Sequence, residues 1–247
     1  MLNPTSEYRS RIYAKYASGF QDAHEVFDER AAATWSKAYD YYLRGWLPQH
    51  KNAAIVDLAC GGGKLLYFFK QRGYTRVSGV DISAEQVQIA RQVGQDVGEE
   101  NLLEFLGAHP GAFDLITGLD IVEHFDKDEV LRFLAGCFTA LMPGGRLILQ
   151  TPNADSPWGA SIRYGDFTHE VCFNPSALTG LLRLSGFNRV EAREQGPVAW
   201  GYGLTSSARY LVWQVIRLGL KIYNLAETGA VGSGLFTRGF IISGCKP

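Results

Sequence analysis

The stretch "AIVDLACGGGKLLYFFKQR", residues 54–72, decides the architecture. An apolar run suited to a buried strand enters a turn of three glycines, and the turn opens a helical period. Glycines at that place let the backbone approach a ligand and present amide N–H groups at a helix N-terminus. Twenty residues beyond Gly61 a second apolar run ends in Val80-Asp81. An acid there can accept both hydroxyl hydrogens of a ribose. The blander alternative is a tight turn with Asp81 capping the next helix. Strand, turn, helix and acid at this spacing favour a nucleoside site at the carboxyl ends of parallel strands.

The pattern repeats outward. Short apolar strands are expected at 54–58, 76–80, 113–117 and 146–151, with a weaker one near 95–99. Helical periods lie between them at 64–72, 84–92 and 127–141. Near-continuous apolar strands separated by helices predict an α/β fold: a mostly parallel sheet with helices on both faces. Further along, 175–185 reads as a helix, 187–194 as a strand, 206–226 as one long helix and 239–244 as a final strand. Residues 1–50 read as helical and aromatic-rich up to Pro48. One domain over 1–247 follows, with an N-terminal helical cap (1–50), a cofactor-binding core (53–153) and an acceptor-side half (154–247).

Composition narrows the function. A formal charge of −1 gives no overall pull toward nucleic acid, and basic residues are scattered. The four cysteines, Cys60, Cys137, Cys172 and Cys245, lie far apart without a CxxC pair. That suggests a reducing cytoplasm and no thiolate zinc site. No apolar run reaches the roughly 18 residues of a membrane span.

Two polar clusters carry candidate chemistry. "GLDIVEHF", residues 118–125, places Asp120, Glu123 and His124 where the fourth strand meets its loop. "DFTHE", residues 166–170, follows the next strand, so His169 could converge on His124. Three readings stand. Asp120 or Glu123 caps the following helix and His124 lies at the surface. His124 or His169 is a general base toward a hydroxyl, oriented by a carboxylate such as Glu123. Or Asp120, Glu123, His124 and His169 bind a divalent cation, magnesium or manganese, over adjacent hydroxyls.

A dinucleotide turn would carry glycine where Leu66 stands. The arrangement instead resembles the class I S-adenosylmethionine-dependent methyltransferases, whose first motif is commonly (D/E)-x-G-x-G-x-G. Asp57, Gly61 and Gly63 match, and Ala59 replaces the first glycine. The likeness is strongest to the ubiquinone-type O-methyltransferase branch, through "VDLACGGG", "VSGVDIS", "FDLITGLDIVEHF" and "LMPGGRLILQTPN". It implies a Rossmann-like seven-stranded sheet with an antiparallel last strand. It also implies S-adenosylmethionine as cofactor: Gly61 and Gly63 beside its methionine part, Asp81 on its ribose, Ile82 on its adenine, Asn101 and Leu102 at the adenine's other edge, Leu119 beneath the sulfonium.

The cation reading resembles the E-x-x-E-H plus distant histidine of small-RNA 2′-O-methyltransferases. The stretch "RYGDFTHEVCFNPSALTGLLRLSGF" resembles bacterial polysaccharide-cluster methyltransferases, which implies a sugar hydroxyl as acceptor; a quinone or phenol is the alternative. Trp158, Tyr164, Trp200 and Tyr202 could face a sugar ring or pack in the core. In the long helix, Arg209, Trp213, Arg217 and Lys221 form a stripe beside a broad apolar surface. It reads as a packed helix at a homodimer interface with a solvated charged edge. Otherwise it is a surface helix at the inner face of the membrane, meeting a lipid-linked saccharide.

Overall fold

The computed structural model describes Arg9, Ile12 and residues 26–94 and 96–247. Within the expected N-terminal cap, α1 (Glu29–Tyr42) is helical; most of residues 1–25, and Gln95 of the weak third strand, lie outside the described residues. Seven strands form one sheet: β1 (Ala54–Leu58), β2 (Arg76–Asp81), β3 (Asp96–Glu99), β4 (Phe113–Leu119), β5 (Leu141–Pro152), β6 (Asn188–Gln195) and β7 (Gly239–Cys245). Their order is β3-β2-β1-β4-β5-β7-β6. β7 runs antiparallel to both neighbours, and the pairs from β3 across to β5 are parallel.

The helices between strands are α2 (Lys64–Gln71), α3 (Ala84–Arg91), α4 (Leu102–Ala108), α5 (Lys127–Ala140), α6 (Gly159–Arg163), α7 (Pro175–Leu184) and α8 (Leu204–Thr228). They explain why the central strands β1, β4, β5 and β7 carry apolar residues of both side-chain directions. Val56, Leu58, Ile116, Leu147, Leu149 and Ile242 point into a core shared with α4, α5 and α7. Their neighbours Ile55, Leu115, Ile148 and Ile241 point into the opposite core, under α1, α2 and α3. With both faces covered, side chains of alternating direction are buried alike, and the polar groups among them, such as Asp57, Thr117 and Gln150, are buried too.

β5 starts five residues earlier than expected. Leu141 pairs with Phe113, then the register shifts before Arg146 pairs with Leu115. Pro143, which has no N–H, and Gly144, at φ 79°, fall in the interval. The other helices and strands expected from residue 54 onward begin and end within two residues of expectation, while α4 and α6 form where no helix was expected.

In α8 the basic stripe is only partly the solvated edge expected, since Arg209 is exposed but Arg217 and Trp213 are engaged. Arg217 pairs with Glu194 of β6 at 2.9 Å, and Trp213 Nε1 donates to the same carboxylate at 3.1 Å. Leu211, Val215, Leu218 and Ile222 on the far side are exposed. No helix among the described residues is long and apolar enough to cross a membrane.

The chain passes from β1 outward to β2 and β3, then returns to β4 on the other side of β1. That reversal leaves a crevice outside the carboxyl ends of β1 and β4. The candidate site lies there.

Candidate active site

A cleft of about 750 Å³ opens at these strand ends, lined from the turn after β1 by Asp57, Ala59, Cys60, Gly61 and Gly62. The turn is left-handed at Ala59 (φ 53°), Gly61 (φ 52°) and Gly63 (φ 87°). An L-residue there costs roughly 1–2 kcal/mol, whereas glycine's extra freedom in the unfolded chain costs roughly 0.4–1 kcal/mol. Ala59→Gly should therefore stabilise the protein by about 0.5–1 kcal/mol, read as a raised urea midpoint.

Asp81 tethers the same turn: its Oδ2 accepts from Gly61 N at 2.9 Å and its Oδ1 from Ser83 N at 2.8 Å. Each carboxylate oxygen keeps a second lone pair, so a diol can still be received from the cleft side. Burial raises Asp81's pKa, and the amides of Ser83 and Gly61 oppose the rise. Asp57 lies beneath the turn, accepting from Thr117 Oγ1 at 2.7 Å, and burial pushes it up to about 7.

Ile82 (49% exposed), Leu102 and Leu119, the residues assigned to the adenine and sulfonium, also line the cleft. Two assignments fall elsewhere. Asn101 is not in the lining; its Oδ1 caps α4, accepting from Leu103 N at 3.0 Å, and Glu100 takes the lining place. Gly63 is also outside the lining. A Cβ there would come within 3.0 Å of Ala90 Cα, so this glycine lets α2 pack against α3.

The second polar group gathers at the other end of the cleft. Val122–His124 is a single 3-10 turn, and Glu123 O accepts from Glu170 N (2.8 Å) and Val171 N (3.1 Å). Those bonds draw the 166–171 loop onto the turn and bring the His124 and His169 rings to a centroid distance of 5.0 Å. The capping reading is corrected. Asp126 caps α5 in a reciprocal box with Glu129, while Glu123 and His124 are buried.

Hydrogen bonds define His124's tautomer. Thr168 Oγ1 donates to Asp166 Oδ1 at 2.6 Å, so its hydroxyl hydrogen is engaged. Nδ1 of His124, 2.9 Å from Thr168 Oγ1 and 3.3 Å from Thr168 O, must be the donor. Nε2 is then the basic nitrogen. His169 is fixed likewise, because its Nδ1 faces the carbonyl of Ile162 at 3.2 Å. Burial, and next the neighbouring His169, push His124 down to about 4. NMR titration should accordingly find its imidazole neutral at pH 5. The unfolded chain would take up that proton first, so this contribution to stability is complete above about pH 6.5 and lost as pH falls toward 4. Asp57 acts oppositely: its contribution is present at low pH and lost as pH rises through about 7.

Glu123 Oε2 accepts from Thr151 Oγ1 at 3.0 Å, but the buried Oε1 has no partner among the described residues. Burial, and then Asp120, raise its pKa well above the ordinary range. One ligand atom each from Glu123, His124 and His169 lies within 4.8 Å of the others, so this trio fits a divalent cation. Asp120 stands outside the trio, its Oδ2 accepting from Gln150 Nε2 at 2.7 Å.

Sequence reasoning missed the polar wall of the cleft. Gln150 Oε1 accepts from Tyr39 and from Gln195 Nε2 (2.6 Å), and Arg9 donates to His124 O at 3.0 Å. These residues come from four distant segments, and no local spacing signals their meeting.

Residues 27–192 match the methyltransferase domain family. Among curated relatives, the ubiquinone biosynthesis O-methyltransferase of Ralstonia nicotianae is 29% identical over 180 residues, 64% of this chain and 74% of that protein. The Thiobacillus denitrificans protein of the same name is 32% identical over 108 residues, 41% of this chain and 45% of its own length. A methyltransferase structure from Archaeoglobus fulgidus superposes with a TM-score of 0.62 at 17% identity, covering 96% and 99% of the two chains. One from Mesorhizobium loti gives 0.59 at 20% identity, covering 85% and 98%. When bound, S-adenosylmethionine supplies a methyl group made electrophilic by its sulfonium, and the glycine turn with Asp81 fits its nucleoside. The chain belongs to the methyltransferase domain family and is an S-adenosylmethionine-dependent methyltransferase.

Proposed function

We propose that this enzyme methylates a hydroxyl oxygen of a small-molecule acceptor. The observation that carries the reading is the trio of buried Glu123 and His124 with half-buried His169, on the same cleft as Asp81 and the glycine turn. An alcohol is a weak nucleophile at neutral pH and needs help to lose its proton. His124, held with Nε2 basic through Thr168 and Asp166, takes that proton. His169 and Glu123 complete the site. The curated relatives, named O-methyltransferases, support an oxygen acceptor.

A second reading is favoured by Glu123 Oε1, which has no partner among the described residues: the trio holds a divalent cation, which would make the hydroxyl more acidic. Dialysis against a chelator distinguishes them, since activity restored only by added magnesium or manganese belongs to the cation.

A sugar hydroxyl is the acceptor we favour. Trp158 and Tyr202, which could have packed inside, are 59% and 43% exposed and offer ring faces. A phenolic or quinol hydroxyl is the alternative, supported by the relatives' names. A methylation screen with labelled cofactor against nucleotide sugars, glycan extracts and catechols tests both. Label in sugars supports the first, and label confined to catechols replaces it.

A further inference from the structure

A second cavity, about 580 Å³, lies beside the cofactor cleft, and Gln195 lines both. Tyr42, Trp158, Tyr202, Trp213 and Phe236 supply aromatic walls. Among the described residues its charged lining consists of two residues of one sign, Arg209 and Arg238. Both are exposed, and among the described residues neither has a carboxylate within ion-pair distance. The Arg238 guanidinium instead sits 5.6 Å from the Trp158 ring centroid.

The surrounding acids are already engaged. Glu194 accepts from Trp213, Arg217 and Phe236 N, and Asp155 from Ser233 and Asn174. Guanidiniums without a carboxylate partner at the mouth of a concave, apolar-walled site concentrate anions and suit the paired oxygens of phosphate and carboxylate. Aromatic walls suit a ring.

We infer that this cavity binds the part of the acceptor that is not methylated, a ring-bearing group carrying an oxyanion, with Arg209 and Arg238 as its cationic contacts. Gln195 marks the side on which that ligand meets the methyl-transfer cleft. The inference rests on the neighbouring cleft being the site of hydroxyl methylation, which the screen above tests separately. A phosphate could be carried by a soluble molecule or by a lipid. The exposed apolar face of α8, beside the cavity through Ile216, would meet the second source.

The test compares phenyl phosphate with phenol by tryptophan fluorescence, with and without S-adenosylhomocysteine. Phenyl phosphate should bind roughly tenfold tighter than phenol or better, as expected of charge-assisted contacts at exposed groups. The double variant Arg209→Ala, Arg238→Ala should erase that preference while leaving S-adenosylhomocysteine affinity and the circular dichroism spectrum unchanged. Sedimentation with phosphatidylcholine vesicles, with and without phosphatidylglycerol, separates the sources. Arginine-dependent binding to the anionic vesicles supports a lipid-borne oxyanion; phenyl phosphate binding without vesicle binding supports a soluble one. Equal affinity for phenol and phenyl phosphate, or a preference that survives the double variant, overturns the inference. Phenyl phosphate binding that persists while no hydroxyl compound is methylated removes the acceptor reading and leaves the anion site standing.

Discussion

Asp81→Ala should weaken S-adenosylhomocysteine binding by roughly a hundredfold, measured by titration calorimetry. A charge-assisted hydrogen bond contributes about 1.5–3 kcal/mol, and a carboxylate receiving two ribose hydroxyls makes two of them. A loss near 3 kcal/mol corresponds to about two orders of magnitude in affinity. The side chain also holds the turn itself, through Gly61 N and Ser83 N, so alanine frees the loop that must receive the cofactor. Asp81→Asn separates the two effects. It keeps one acceptor oxygen and a neutral partner for the turn, and should fall between the wild type and alanine. Wild-type affinity in Asp81→Ala would remove Asp81 from the ribose.

His124→Ala should lower turnover by about 10²–10⁴-fold while leaving cofactor affinity nearly unchanged. The imidazole is buried, neutral above about pH 4, and held with Nε2 free by the Asp166–Thr168 relay. Thr168→Val, similar in shape without the hydroxyl, should lower kcat more than KM, because it removes the nearer of the two acceptors that fix the tautomer and leaves only the backbone carbonyl at 3.3 Å. Full activity in His124→Ala would return His124 to a structural role. If activity instead depends on added metal in the wild type, the same variant should also weaken that metal requirement's apparent affinity, which a base alone would not do.

Much of this was legible because it is local. The strand–glycine–helix run at 54–72 and the acid at 81 lie within one βα unit plus one strand, where spacing dictates geometry. Gly63 illustrates the limit of that reading. Its motif position was visible, but its contact with Ala90 depends on how α2 meets α3. Asn101 shows a similar competition: a short polar side chain just before a helix satisfies the helix's own N–H groups, whatever lies across the cleft.

By itself, then, the sequence determined the α/β architecture, the glycine turn and its acid, since apolar periodicity and turn chemistry act within a few residues. Only the tertiary structure decided the other half of the site. His169 reaches His124 because the 166–171 loop bonds to the backbone of Glu123, 47 and 48 residues away at Glu170 and Val171. Asp120 leaves the trio because Gln150, on the neighbouring strand, engages its carboxylate. Burial then sets the chemistry. Exclusion from water makes Glu123 hard to ionise and His124 hard to protonate, and residue type alone carries no record of how deep a side chain will lie.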